Sequence, residues 1–295
     1  MVAMINHESA HREGGLRAPW AKASIGADPD VVIEEFQQGL TIDLIATPRA
    51  DFVTCGIDDM LPGLVERNRR QSFDFLPVTE PESRRIIGLL EIVSFMHGTA
   101  APLSVREAMR PLSEENLIGA DAGILAFVRD ADRHRCRLVV SGHEISGLVC
   151  LSDLQQLPVR VALFGLITSL ELMMAAVIRS EFPDRESWLA RLPPGRQNKV
   201  GEEIDRARIR DGLVDDLLFA NFADKIAILA ESQHRVDASD GLEAELKEIK
   251  ALRNELAHAN DYAALPETAN RTCARVRLMD KWIKEFSRRL RVPPS

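Results

Sequence analysis

Apolar and polar positions change rhythm near residue 157. Up to that point short apolar runs are separated by polar turns, and beyond it apolar residues recur with helical spacing. The clearest short runs, 137–140 and 145–151, flank Ser141-Gly142 and predict a β-hairpin. Segment 75–95 has the same layout, and helical stretches at 60–69 and 122–132 precede the two hairpins. A β-α-β-β-α unit is therefore expected twice, over 40–100 and 101–157, behind a flexible lead-in at 1–39. Residues 158–295 read as helices at 159–181, 197–210, 213–231, 242–259 and 267–290. Pro183, Pro193-Pro194, Asp240-Gly241 and Pro266 punctuate them, and Asp240 with Glu243 suggests a capping box. The expected fold class is α+β followed by all-α: tandem β-α-β-β-α repeats, then a helical bundle.

The stretch 161–178 is almost unbroken apolar sequence, and its 18 residues stand at the lower limit of a membrane span. Glu171 lies just past its middle, where a bilayer would charge about 2.5–3.5 kcal/mol for the carboxylate. Gly165, Thr168 and Ser169 dilute the apolar character further. A buried bundle helix is the favoured reading over a membrane anchor. Glu171 then requires a cationic or donor partner.

Composition supports a folded chain: of 295 residues, 45% are hydrophobic and 28% charged. An aromatic share of 5% argues against a single-strand stacking platform. Cys55, Cys136, Cys150 and Cys273 are scattered without a CxxC pair, which points to a reduced cytoplasmic protein without structural zinc. The lead-in has no apolar targeting core. The net charge of −8 resides entirely in residues 1–157, while the rest is balanced. Within that balanced half, Arg271, Arg275, Arg277, Lys281, Lys284, Arg288, Arg289 and Arg291 form a basic series. They either track a nucleic-acid backbone or form a solvated face that balances the acidic half.

The second unit closes on Gly147-Leu148-Val149-Cys150-Leu151-Ser152-Asp153-Leu154, and Val105-Arg106-Glu107-Ala108-Met109 lies near its start. In these residues, over roughly 40–157, the chain resembles the tandem cystathionine β-synthase (CBS) domains. The resemblance implies a cleft between repeats that binds an adenine nucleotide (AMP, ADP or ATP) or S-adenosylmethionine. Asp153 would hold ribose hydroxyls there, with Gly147, Cys150 and Ser152 around it. Cys150 stands where the family has Thr or Ser, and a thiol is a poor hydrogen-bond partner. In the first repeat, Gly88-Leu89-Leu90-Glu91-Ile92-Val93-Ser94, the Thr is replaced by Glu91 and the Asp by Ser94. A carboxylate there repels phosphate. The expectation is one nucleotide site, around Asp153; the alternative is a degenerate pair serving as a dimerisation scaffold.

The sharpest helical pattern is Leu252-Arg253-Asn254-Glu255-Leu256-Ala257-His258. Helical spacing puts Arg253 at the edge of the Ile249–Leu252–Leu256 stripe, with Asn254 and His258 on the outward face. His258 is then either an acid–base group beside a fixed cation or an exposed residue near a helix end. Arg-x4-His with Asn after the Arg, in an all-helical setting over 158–290, resembles the HEPN (higher eukaryotes and prokaryotes nucleotide-binding) group. That resemblance implies a metal-independent endoribonuclease acting as a homodimer on RNA. His258 would be the acid or base, Arg253 the phosphate stabiliser, Asn254 an orienting group and Glu171 the residue that holds Arg253 or His258. No catalytic cofactor is required. The competing expectation is a non-enzymatic ligand-sensing adaptor with an inactive helical domain.

Overall fold

The computed structural model describes residues 39–96, 104–210, 215–231, 241–258 and 261–291. The expected lead-in, apart from Gly39, and the Asp240 cap lie outside the described residues. The first stretch of chain carries β1 (Thr47–Pro48), β2 (Cys55–Gly56), α1 (Leu61–Asn68), β3 (Leu76–Thr79) and β4 (Ile86–Leu90). After α2 (Val105–Ala108) and β5 (Arg110–Pro111) come β6 (Leu117–Gly119), α3 (Ile124–Val128), β7 (Cys136–Ser141) and β8 (Glu144–Cys150). Six helices follow: α4 (Leu157–Glu181), α5 (Arg185–Leu189), α6 (Pro194–Arg210), α7 (Phe222–Ala230), α8 (Leu242–Ala257) and α9 (Pro266–Arg291).

The strands form two four-stranded sheets of the same design, β2-β3-β4-β5 and β1-β8-β7-β6. In each, a parallel pair leads into an antiparallel hairpin, and a two-residue strand closes the edge. The edges are exchanged. Thr47–Pro48, at the start of the first repeat, pairs with β8 of the second, while Arg110–Pro111, near the start of the second, pairs back onto β4 of the first. Two glycines permit this. A Cβ on Gly147 would stand 2.7 Å from the Thr47 carbonyl oxygen, and one on Gly88 would collide with that of Arg110. The hairpin between β7 and β8 turns through Gly142 at φ +61°.

Three clusters make up the interior. Leu61, Leu64, Leu76, Val78, Leu90, Ile92 and Val105 form the core of the first unit. Ile86 and Leu89 meet Cys136, Leu138 and Leu148 between the two sheets. The third cluster runs without a break from Ile42 and Val149 through α4 into α8 and α9. The second unit and the helical bundle thus share one core, although the apolar rhythm changes between them.

α4 is the axis of that core. Leu163, Leu166, Ile167, Leu170, Met174, Val177 and Ile178 are at most 2% exposed. It is the one described helix long and apolar enough to cross a membrane, yet most of its apolar window is buried within the bundle. Its outer side still shows Leu157, Val161, Phe164 and Leu172. Charged contacts reinforce the junction. Arg277 on α9 grips the Asp132 carboxylate at 2.7 Å and the Arg129 carbonyl at 2.5 Å, and Arg129 pairs with Asp280 at 2.7 Å. The Arg277 hydrogen bond holds the Asp132 carboxyl below the usual carboxylate range.

Two helix expectations need correction. The stretch 122–132 is helical only over Ile124–Val128, because the chain turns at Asp130, whose carbonyl accepts from Arg133 and His134 amides at 2.8 and 2.9 Å. The stretch 213–231 is interrupted: Asn221 starts a new helix, its side chain and that of Asp224 each accepting the other's amide at 3.0 Å. The short helix α5 was not anticipated; Asp184 caps it by accepting from Ser187 N at 2.7 Å.

Leu163→Ala is expected to cost about 2–5 kcal/mol in chemical denaturation. Hydrogen exchange should speed up together in β7, β8 and α9 but not in β3, whose core is separate. Equal acceleration of both sheets would refute the shared-core division.

Candidate functional site

A cleft of about 350 Å³ opens between the two units. Its walls are the end of β4, the segment from β5 to Asn116, and the loop leading into β7. Phe75, Leu89, Pro111, Leu112 and Cys136 supply an apolar lining, while Arg110, Arg133 and Arg135 supply cations. Glu91 lies among them, 2.7 Å from Arg110 and 3.6 Å from Arg135, with its side chain 17% exposed. The repulsive carboxylate expected at this place is thus neutralised by two guanidinium groups. Backbone bonds fix the arginine loop: Leu151 N donates to the Arg135 carbonyl at 2.7 Å, and the Asp130 carbonyl holds Arg133 and His134. An apolar lining with a rim of three arginines and two carboxylates, Glu91 and Glu115, suits a ligand with an apolar body and an anionic group.

Sequence reasoning missed these arginines. For Arg133 and Arg135 the signal was the dense basic run Arg133-His134-Arg135-Cys136-Arg137. Of that run, Arg137 turns away to Asp130 at 2.6 Å.

The residues expected to hold ligand lie elsewhere, and all four are outside the lining of this cleft. Gly147 is buried in β8, and the Thr47 approach accounts for it sterically. Asp153 is committed to its own turn, accepting from Cys150 N at 2.6 Å and from Gln156 Nε2 at 2.9 Å. Burial raises its carboxyl above the ordinary value against those two bonds. Ser152 is exposed. The Cys150 sulfur lies 3.1 Å from that of Cys136, and this contact together with burial pushes its thiol well above the ordinary range.

In the bundle, the structure brings Glu171 and Arg253 together at 3.8 Å. Glu171 also accepts from Lys225 on α7 at 2.7 Å, and that lysine is only 7% exposed. Lys225 is the cationic partner that an apolar setting required; its signal was a lone Lys in the apolar helix FADKIAILA. Asn254 and His258 are exposed, as the helical spacing predicted. His258 caps the end of α8, its backbone N–H donating to the Asn254 carbonyl at 3.1 Å.

Five members of the basic series pair with carboxylates of the protein itself. Arg275 meets Glu248 and Glu255, Arg277 meets Asp132, Lys281 meets Glu245, and Arg288 and Arg289 meet Glu285. Arg275 is buried, at 6% side-chain exposure. Arg275, Arg277, Lys281 and Arg289 tie α9 to other elements, whereas Arg288 pairs within α9 and stays 66% exposed.

No family model matches the chain, and no curated protein matches it. Solved structures similar to part of it include the CBS domain of a bacterial CNNM/CorC-family magnesium transporter in complex with ATP. That match has 17% identity and a TM-score of 0.35, and it covers 42% of this chain and 89% of the other. A hemolysin-like CBS protein of Oenococcus oeni gives 13% and 0.34, covering 42% and 93%. The CBS domains of a Streptococcus pneumoniae transcriptional regulator give 16% and 0.30, covering 37% and 92%. At these identities and scores, none of them assigns the chain to a family.

Glu171→Ala should destabilise the protein by about 3 kcal/mol, because it strands the Lys225 ammonium in the interior. Adding Lys225→Met should restore most of the loss in urea denaturation. A loss below about 0.5 kcal/mol in the single variant would mean that water already solvates Lys225.

Proposed function

We propose that the chain is a ligand-sensing regulatory protein whose inter-unit cleft binds an adenine nucleotide. The observation that carries this reading is the convergence of Arg110, Arg133 and Arg135 on an apolar-lined cleft. The ligand class is the one that the CBS resemblance implies; S-adenosylmethionine, being cationic at sulfur, fits the arginines less well. Glu91 gives the site its character as a switch. It pairs with Arg110 and Arg135, so an incoming phosphate competes with an internal carboxylate.

Binding has a physical route to the bundle. The arginine loop hangs from Asp130 and follows Asp132, which Arg277 of α9 grips. The first unit has its own core and meets the rest through the inter-sheet cluster. A ligand that prefers one placement of the first unit shifts the population toward it. A homodimer fits this reading, with the exposed Leu157, Val161, Phe164 and Leu172 side of α4 as its contact.

The second reading gives the bundle a metal-independent ribonuclease activity, and the Glu171–Arg253 contact favours it. In that mechanism Glu171 positions Arg253 against the scissile phosphate. Asn254 orients that phosphate, and His258 exchanges a proton with the 2′-hydroxyl or the leaving 5′-oxygen. The adaptor reading keeps the fold and removes the chemistry.

Calorimetric titration with ATP and AMP should show binding, weakened at least about tenfold by Arg135→Ala and strengthened by Glu91→Gln. No heat at millimolar ATP would sink the nucleotide reading. For the second reading, RNA should be cleaved in EDTA, and His258→Ala should abolish cleavage without changing the thermal midpoint. RNA left intact by the wild type, with and without nucleotide, selects the adaptor.

A further inference from the structure

Cys136 and Cys150 are 14 positions apart in the chain, so no spacing motif joins them. The hairpin register does. They are directly opposed partners at the start of β7 and the end of β8. The next pair outward is hydrogen-bonded, Leu151 N donating to the Arg135 carbonyl. By the alternation of an antiparallel ladder, Cys136 and Cys150 occupy a non-hydrogen-bonded pair, where opposed Cα atoms lie about 4.5 Å apart. That separation is within the range disulfides span, about 4.4–6.8 Å. The sulfurs already stand 3.1 Å apart. Closing to a bond of about 2.05 Å takes a side-chain adjustment of about 1 Å, with no change of strand register.

The pair also sits where a covalent change has consequences. Cys136 lines the cleft beside Arg135. The Cys150 amide carries the hydrogen bond to Asp153 that shapes the turn before α4. The two other cysteines, Cys55 and Cys273, lie in separate cores.

We propose that Cys136 and Cys150 form a reversible dithiol–disulfide site in the wall of the cleft, oxidised by low-molecular-weight disulfides such as oxidised glutathione. One cysteine thiolate attacks a sulfur of the oxidant and expels one molecule of thiol. The second attacks the resulting mixed disulfide and expels the other. One intramolecular S–S bond forms and one oxidant S–S bond breaks. Two electrons and two protons pass from the cysteines to the two departing thiols. The site stands on the hairpin geometry and is independent of whether the cleft binds nucleotide.

The test uses the wild-type chain, incubated for hours with excess oxidised glutathione at a pH of about 8.5, because burial of Cys150 slows thiolate formation. Remaining thiols are then alkylated with iodoacetamide in denaturant, and the protein is digested with trypsin without reduction. Cleavage after Arg135, Arg137 and Arg160 releases Cys136 in the dipeptide 136–137 and Cys150 in peptide 138–160. The expected result is peptide 138–160 linked to 136–137, an intact-mass loss of about 2 Da before alkylation, and reversal by dithiothreitol. The Cys55→Ser/Cys273→Ser variant should show the same loss. Peptide 138–160 recovered alkylated, carrying only glutathione, or linked to Cys55 or Cys273 would overturn the proposal.

Discussion

The structure depends on finding a place for α4. A helix of 25 residues with apolar side chains on most of its surface cannot stand in water, and this one is covered from several directions. α9, α7 and α8 pack along it, and the second α/β unit closes over its beginning through Val159, Ala162 and α3. The helix also fixes what surrounds it. Its start follows from the Cys150–Asp153 turn, and Tyr262, beyond α8, donates to the Leu154 carbonyl in that same turn. The second unit and the bundle therefore share one continuous apolar core. The first unit keeps a core of its own.

Charge follows the same division. The excess acid of residues 1–157 and the basic series of α9 look like two modules with separate partners when only the chain is considered. In the folded protein a good part of each is spent on the other or on neighbouring helices. Arg277 takes Asp132, Asp280 takes Arg129, and Arg275 is buried between Glu248 and Glu255. Guanidinium groups suit this task because they bond carboxylates with two parallel N–H groups. Cations also line the cleft, where Arg133 lies at the wall and Arg110 and Arg135 share one carboxylate. The cleft and the bundle junction are built from the same loop, since Asp130 and Asp132 lie just before Arg133.

Much of this was legible in the sequence. The apolar rhythm located both hairpins, most of the bundle helices and the partial burial of 161–178, because period-2 and period-3.6 patterns report directly on which side of an element faces the core. Glu171 required a cationic or donor partner, because an unpaired carboxylate is untenable inside a bundle. The helical spacing also placed Asn254 and His258 on an outward face.

What the sequence left open were the partners. Nothing local indicates that Lys225 reaches Glu171, that Glu91 draws in Arg110 and Arg135, or that the segment around Thr47 edges the distant β8. Nor could spacing reveal that Gly147 is small to admit a backbone, or that Cys136 and Cys150 face each other across a hairpin. Local pattern determined which residues must be buried, since burial is a property of each element's own period. The tertiary structure decided which buried or charged group meets which, since those contacts depend on strand exchange and helix packing between positions far apart in the chain.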